Sequence, residues 1–193
     1  CRGIGQSFGY NRMETLKDYM TGKELVHLLA RTVSGGGNLL LNIGPMPTGE
    51  IEGRQVALLT QAGDWIKPRA KAIYGTRGGP FANGEWGGSS HRGNTVYVFA
   101  KKWQDETLSL PPLPQKIKAA RKLIGSGKVA FKQTDKGIEL TLSAGQRDPF
   151  FTVLTLTLDQ PVPDGIIAAD AALRYLGPSA PQEPQPPKPG KRK

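Results

Sequence analysis

The chain has 193 residues, 37% of them hydrophobic, enough for one good core or two small ones. A single cysteine excludes an internal disulfide, and His27 and His91 lie too far apart in sequence to complete a zinc set with it. Nothing approaches the run of about eighteen apolar residues that a membrane span needs, and the start lacks the basic, apolar, small-residue layout of a signal peptide. The chain opens on Cys1 rather than Met, which reads as a piece of something longer or a processed product.

The net charge of +10 is unevenly placed. Residues 1–66 balance six basic against six acidic side chains, whereas residues 67–136 hold fourteen Lys or Arg against four acids. Such a segment suits nucleic acid, an anionic polysaccharide or an acidic surface, and a solvated face is the plainer reading.

In "GKELVHLLARTVS" Leu25, Leu28, Leu29 and Val33 recur at helical spacing, which predicts an amphipathic helix. Gly35 to Gly37 stop it, and the apolar run "NLLLNIG" reads as a buried parallel strand. After Pro45, Pro47 and Gly49, the spacing of Val56, Leu59, Ala62 and Ile66 predicts a second helix ending near Pro68. Helix, strand, helix is α/β grammar.

Beyond Tyr74 the glycine-rich "GTRGGPFANGEWGGSSHRGN" has no helical period and reads as a boundary loop. "TVYVFAKKW", "KVAFKQ", "GIELTLS" and "FTVLTLTLD" are predicted strands, the middle two joined by the turn "TDKG". Short strands between Gly, Pro and Asp turns indicate an antiparallel β-sandwich. "LPPLPQKIKAARKLIGSG" reads as a connection plus a strand, with a short helix as the alternative. "GPSAPQEPQPPKPGKRK" is Pro-rich and basic and reads as an extended or disordered tail.

The three glycines before an apolar run invite a phosphate-loop reading. A Walker loop runs strand, glycines, lysine, helix; here the glycines follow a helix and precede a strand, and Asn38 follows them where a lysine is wanted. "GSGKV" from Gly125 lacks both the earlier glycine and the following hydroxyl. The glycines are a helix stop.

"SFGYN", "ELVHLLARTVSGGGNLLLNIGPMPTGEI", "LTQAGDWIKPRAKAIYGTRGGPF" and "FTVLTLTLDQPV", in that order, resemble the C-terminal part of the α-L-fucosidases of glycoside hydrolase family 29, over roughly residues 1–162. The "PRAK" of Pro68 to Lys71 departs from the family's usual wording at a helix end. The resemblance implies α/β followed by all-β: the C-terminal remnant of a (β/α)8-type TIM barrel over residues 1–75, a C-terminal antiparallel β-sandwich over 76–165, and the Pro-rich basic tail over 166–193. It also implies a secreted, periplasmic or lysosomal setting.

On that resemblance "NLLLNIGP" is the last barrel strand and "SFGYN" belongs to the loop after the seventh, at the face where barrel active sites lie. Phe8 then aligns with an aromatic wall of the fucose pocket. Fucose is a 6-deoxy sugar, so its methyl gains from an apolar contact; a core phenylalanine under a loop is the alternative. Tyr10 is expected to fix the loop beside it, and Asn42 to point into the barrel mouth or make a structural hydrogen bond. Trp86 and His91 are candidates for a subsite loop, a plain surface loop being the default. Trp65, Ile73 and Tyr74 are read as packing residues, His27 as a packed or surface histidine, and Glu14 and Asp18 as solvated.

The resemblance further implies a retaining glycosidase with an aspartate nucleophile and a glutamic acid/base, the pair of close carboxyls that double displacement requires. Both are expected ahead of Cys1, so no catalytic residue, metal or cofactor is assigned within the chain, and the segment alone is expected to be inactive. The partner is a fucosylated glycan, with oligomerisation open. The alternative function is a non-catalytic carbohydrate-binding or anionic-polymer-binding module. Nucleic-acid binding is not expected, since no aromatic-studded strand or zinc set supports it.

Overall fold

The computed structural model describes residues 1–126 and 129–164; the expected tail over 166–193 lies outside them. Strand β1 (Arg2–Gly3) leads through a long loop to helix α1 (Gly22–Ser34), and β2 (Leu41–Asn42) returns in parallel beside β1, Arg2 opposite Leu41 and Gly3 opposite Asn42. Thr21 begins α1 with a capping box: its hydroxyl accepts from the Glu24 N–H at 3.2 Å and the Glu24 carboxylate accepts from the Thr21 N–H at 2.7 Å. Such a cap contributes about 1 kcal/mol. Leu25, Val26 and Ala30 form the buried stripe. At the far end Gly36, with φ of 76°, takes the left-handed turn that stops the helix.

The strand after this stop is shorter and more open than its apolar run predicts. Only Leu41 and Asn42 pair, both half-buried, and Leu40 is exposed. A buried parallel strand needs neighbours on both sides, and among the described residues β2 pairs only with β1.

Helix α2 (Gly53–Ile66) buries Gln55, Leu58, Ala62 and Trp65. At Pro68 the chain tightens into one 3-10 turn (Lys67–Arg69) and continues as α3 (Ala70–Ile73). Trp65 and Ile73 are buried as expected, whereas Tyr74 is exposed.

Eight further strands follow: β3 (Arg77–Gly78), β4 (Gly87–Arg92), β5 (Thr95–Ala100), β6 (Thr107–Leu110), β7 (Ile117–Lys122), β8 (Ala130–Thr134), β9 (Gly137–Thr141) and β10 (Thr152–Leu158). They form two antiparallel sheets, one ordered β3-β4-β5-β10-β7 and the other β6-β9-β8. Val96, Val98, Leu154, Leu156 and Leu158 of the first share a core with Leu108, Leu110, Ile138 and Leu140 of the second. The other face of the five-stranded sheet, through Tyr97, Phe99 and Val153, shares a second core with Leu25, Val26, Ala30, Leu58 and Trp65 of the helices. The layers therefore run helices, five strands, three strands.

The glycine-rich stretch read as a boundary loop contains β3 and β4. A Cβ on Gly78 would collide with the Gly36 backbone, and one on Gly88 with Ser34 and Asn83. The glycines let the end of α1 dock directly on the sheet, and Asn83 ties the two by donating to the Arg31 carbonyl at 2.9 Å. These strands carry no apolar alternation because one face must admit helix backbone. The basic "KIKAARK" is β7, so its strand reading holds and its helical alternative does not.

Candidate functional site

β1 and β2 are parallel, so their C-terminal ends lie together, and such ends are where α/β folds build their sites. The loop leaving β1 carries Phe8, and the side-chain amide of Asn42, the last residue of β2, donates to the Phe8 carbonyl. Two of the sequence candidates are thus joined, Asn42 as a loop anchor. The Phe8 ring is 64% exposed, so it is not a core phenylalanine. It offers an apolar surface to whatever occupies this end.

The loop is rigidly held, mostly by residues the sequence reading missed. Glu14, expected to be solvated, is buried, and its carboxylate accepts from the Ser7 N–H at 2.5 Å. Gly5 is a glycine because a Cβ there would strike that carboxylate. Arg54 donates to the Glu14 carbonyl at 2.6 Å, pairs with Glu52, and lies over the Tyr19 ring at 5.2 Å. The Tyr19 hydroxyl donates to Glu52 at 3.2 Å. Burial first, then the Glu52 and Glu14 carboxylates, push its pKa up to about 12. Asp18 caps its own turn: hydrogen bonds from the Thr15 backbone N–H and hydroxyl hold its carboxyl below the usual range. Each of these acids has a structural partner. The signal that could have exposed Glu14 is its position between a tight glycine loop and an aromatic, but charge spacing alone carries no burial information.

Tyr10 is half-buried, and its backbone lies against Gly44, where a Cβ would meet the Tyr10 nitrogen. Gln55, fully buried, holds Gly44 from the other side, its amide accepting from the Gly44 N–H and donating to the Gly44 carbonyl, both at 3.0 Å. The segment after β2 is thereby clamped between α2 and the Phe8 loop.

Trp86 and His91 are placed elsewhere. Trp86 packs at the edge of the core between the sheets, its ring 6.4 Å from that of Phe81 in an edge-on contact. His91 is not on a loop: it is a buried residue of β4, opposite Val96 and therefore on the inner face. Burial lowers its pKa, and neither ring nitrogen has a partner among the described residues. Among the described residues no hydrogen bond or ring contact links either residue to Phe8. His27 is half-buried, with Nε2 donating to the Phe150 carbonyl at 3.0 Å. No group of three His, Cys, Asp or Glu among the described residues is placed to hold a metal ion, and no helix among them is long and apolar enough to cross a membrane.

An exposed aromatic thus stands on a clamped loop at the shared C-terminal end of two parallel strands. Residues 1–71, which contain this whole arrangement, match the family model described as Alpha-L-fucosidase. Over these residues the sequence is that of an α-L-fucosidase. Among relatives, the chain is 31% identical over 159 residues to an alpha-L-fucosidase of Dictyostelium discoideum, covering 79% of this chain and 33% of that one. It is 38% identical over 128 residues to the plasma alpha-L-fucosidase of Homo sapiens, covering 63% of this chain and 27% of that one. The structure is similar to that of Thermotoga maritima alpha-fucosidase in complex with fucose, with a TM-score of 0.71 and 32% identity over 81% of this chain and 39% of that one. Alpha-L-fucosidase isoenzyme 1 of Paenibacillus thiaminolyticus gives a TM-score of 0.74 at 28% identity, covering 82% of this chain and 39% of that one. The chain thus spans between about a quarter and a third of the length of these two fucosidases.

Proposed function

We propose that this chain is the C-terminal part of a retaining α-L-fucosidase that removes terminal fucose from glycans, with its catalytic aspartate and glutamate outside these residues. The observation that carries the reading is the Phe8 loop standing at the C-terminal ends of β1 and β2 within the segment that matches the family. In this reading residues 1–75 are the last part of the catalytic barrel, β1 and β2 being neighbouring barrel strands, and residues 76–165 are the appended β-sandwich. Two features support it. A two-stranded parallel sheet is not a stable end state, and Met13, Leu16, Leu40 and Val56 leave exposed apolar side chains that the rest of a barrel would cover.

Within this site Phe8 contributes the apolar wall against the sugar methyl, Asn42 and Glu14 hold its loop, and Tyr10 fixes the loop through Gly44. Trp86 and His91, as packed residues of the sheet region, act on the sugar only through the scaffold. The chemistry is double displacement by the absent pair, so these residues bind and orient and transfer no proton.

The test uses the full-length chain that carries these residues, assayed on an aryl α-L-fucoside and on the matching α-L-galactoside, which differs by one hydroxyl at C6. Phe8→Ala is expected to lower kcat/KM for the fucoside by about 10- to 100-fold, the range for losing one apolar contact, and to narrow the preference over the galactoside. An unchanged ratio of the two substrates removes Phe8 from the pocket. No turnover of either by the unaltered enzyme overturns the function.

A further inference from the structure

The helices cover only part of the five-stranded sheet. Cross-strand register puts Arg92, Thr95, Thr157 and Ala119 in one row across β4, β5, β10 and β7, with Arg121 two residues further along β7. Arg92 and Arg121 are exposed, and the three residues between them are half-buried, their small side chains forming a flat floor. Three interstrand steps separate β4 from β7, and with the offset of two residues along β7 the two arginine backbones stand about 16 Å apart. Among the described residues neither forms an ion pair or donates a side-chain hydrogen bond. The carboxylate that follows β10, Asp159, accepts instead from the Lys116 N–H at 2.9 Å.

Two unengaged guanidinium groups separated by a neutral, hydroxyl-bearing floor fit a particular kind of polymer: anionic groups spaced apart by uncharged sugar rings. Resting on the glycosidase reading above, we propose that this strip binds a sulfated polysaccharide and holds it to the enzyme. Arginine's fixed fork of donors matches the oxygens of a sulfate ester. The segment that supplies both arginines, residues 67–136, holds fourteen basic against four acidic residues, so the wider field favours the same ligand. The contacts are solvent-exposed, so binding rests on several weak interactions and falls with salt.

The test measures binding of dextran sulfate and of uncharged dextran to the full-length protein at several salt concentrations, alongside aryl-fucoside turnover. The unaltered protein is expected to bind dextran sulfate and not dextran. The double variant Arg92→Gln, Arg121→Gln is expected to bind at least tenfold more weakly, with kcat/KM for the aryl fucoside and the melting temperature unchanged. A double variant of equal charge loss on the other sheet, Lys132→Gln with Lys136→Gln, is expected to retain binding. Equal weakening by both double variants, or none by the first, overturns the strip. A DNA oligonucleotide bound as tightly as dextran sulfate through the same arginines overturns the choice of polysaccharide. Failure of fucoside turnover with the dextran sulfate result intact contradicts only the fucosidase reading.

Discussion

The two faces of the five-stranded sheet are made from the same strands and differ in what covers them. β10 shows the difference residue by residue. Leu154, Leu156 and Leu158 all point to the three-stranded sheet, whereas on the opposite face Val153 gives way to Thr155 and Thr157. The change falls where the helices stop: Val153 sits in the core they share with the sheet, and Thr157 is half-buried beyond it. A strand's outward alternation therefore records the footprint of its cover, and a switch from Val to Thr along one face marks the edge of a layer.

Removing the helices would leave one whole face of the five-stranded sheet uncovered. Residues 76–165 produced alone would expose Tyr97, Phe99, Phe151 and Val153, all buried at present. The isolated segment is expected to bind a hydrophobic dye and to resist proteolysis poorly; a dye-silent, protease-resistant monomer would show that the sheets need no helical layer.

Within the inner face, Leu156→Ala removes a fully buried side chain and is expected to cost about 2–5 kcal/mol in urea denaturation. On the helix face, Gly88→Ala forces a Cβ into Ser34 and Asn83. Overpacking of that kind costs about 1–3 kcal/mol, and a neutral result would mean that α1 does not dock on β4. Thr155→Val tests the layer edge itself. The Thr155 hydroxyl is buried without a partner among the described residues, so its replacement by a methyl is expected to be neutral or stabilising by up to about 1 kcal/mol.

A smaller effect is expected from His91 on the inner face. Burial depresses its pKa, opposed by Asp164 and aided by Arg77. The unfolded chain takes up a proton near pH 6.5 while the folded chain does not, so stability is full above that pH and declines as pH falls toward the folded value. His27, also depressed mainly by burial, adds in the same direction. His91→Leu should flatten the acid limb of a stability profile relative to its own neutral plateau.

Helix α1 was legible because its apolar residues repeat with the helical period and glycines end it. The strands β5, β8, β9 and β10 were legible through alternation. β4 was not: Gly88, Ser89, Ser90 and His91 are all buried with hardly an apolar side chain among them. Ser89 and Ser90 instead use their hydroxyls on the Phe81 and Ala72 backbones, at 2.9–3.1 Å and 2.7 Å. Polarity hid the strand because hydrogen bonding, not apolar contact, makes its burial tolerable. At the site, Phe8 and Asn42 were visible through the resemblance. Glu14, Tyr19, Glu52, Arg54 and Gln55 were not, because their roles depend on tertiary contacts spanning tens of residues.

On the proposed function, these residues form the binding wall and scaffold of a fucosidase whose reacting carboxyls lie elsewhere. Fucose release from an aryl α-L-fucoside, measured side by side for the full-length chain and for residues 1–193 alone, tests it most directly. Release with retained anomeric configuration is expected from the full-length chain and none from the segment. Turnover by residues 1–193, or inversion by the full-length enzyme, would contradict it.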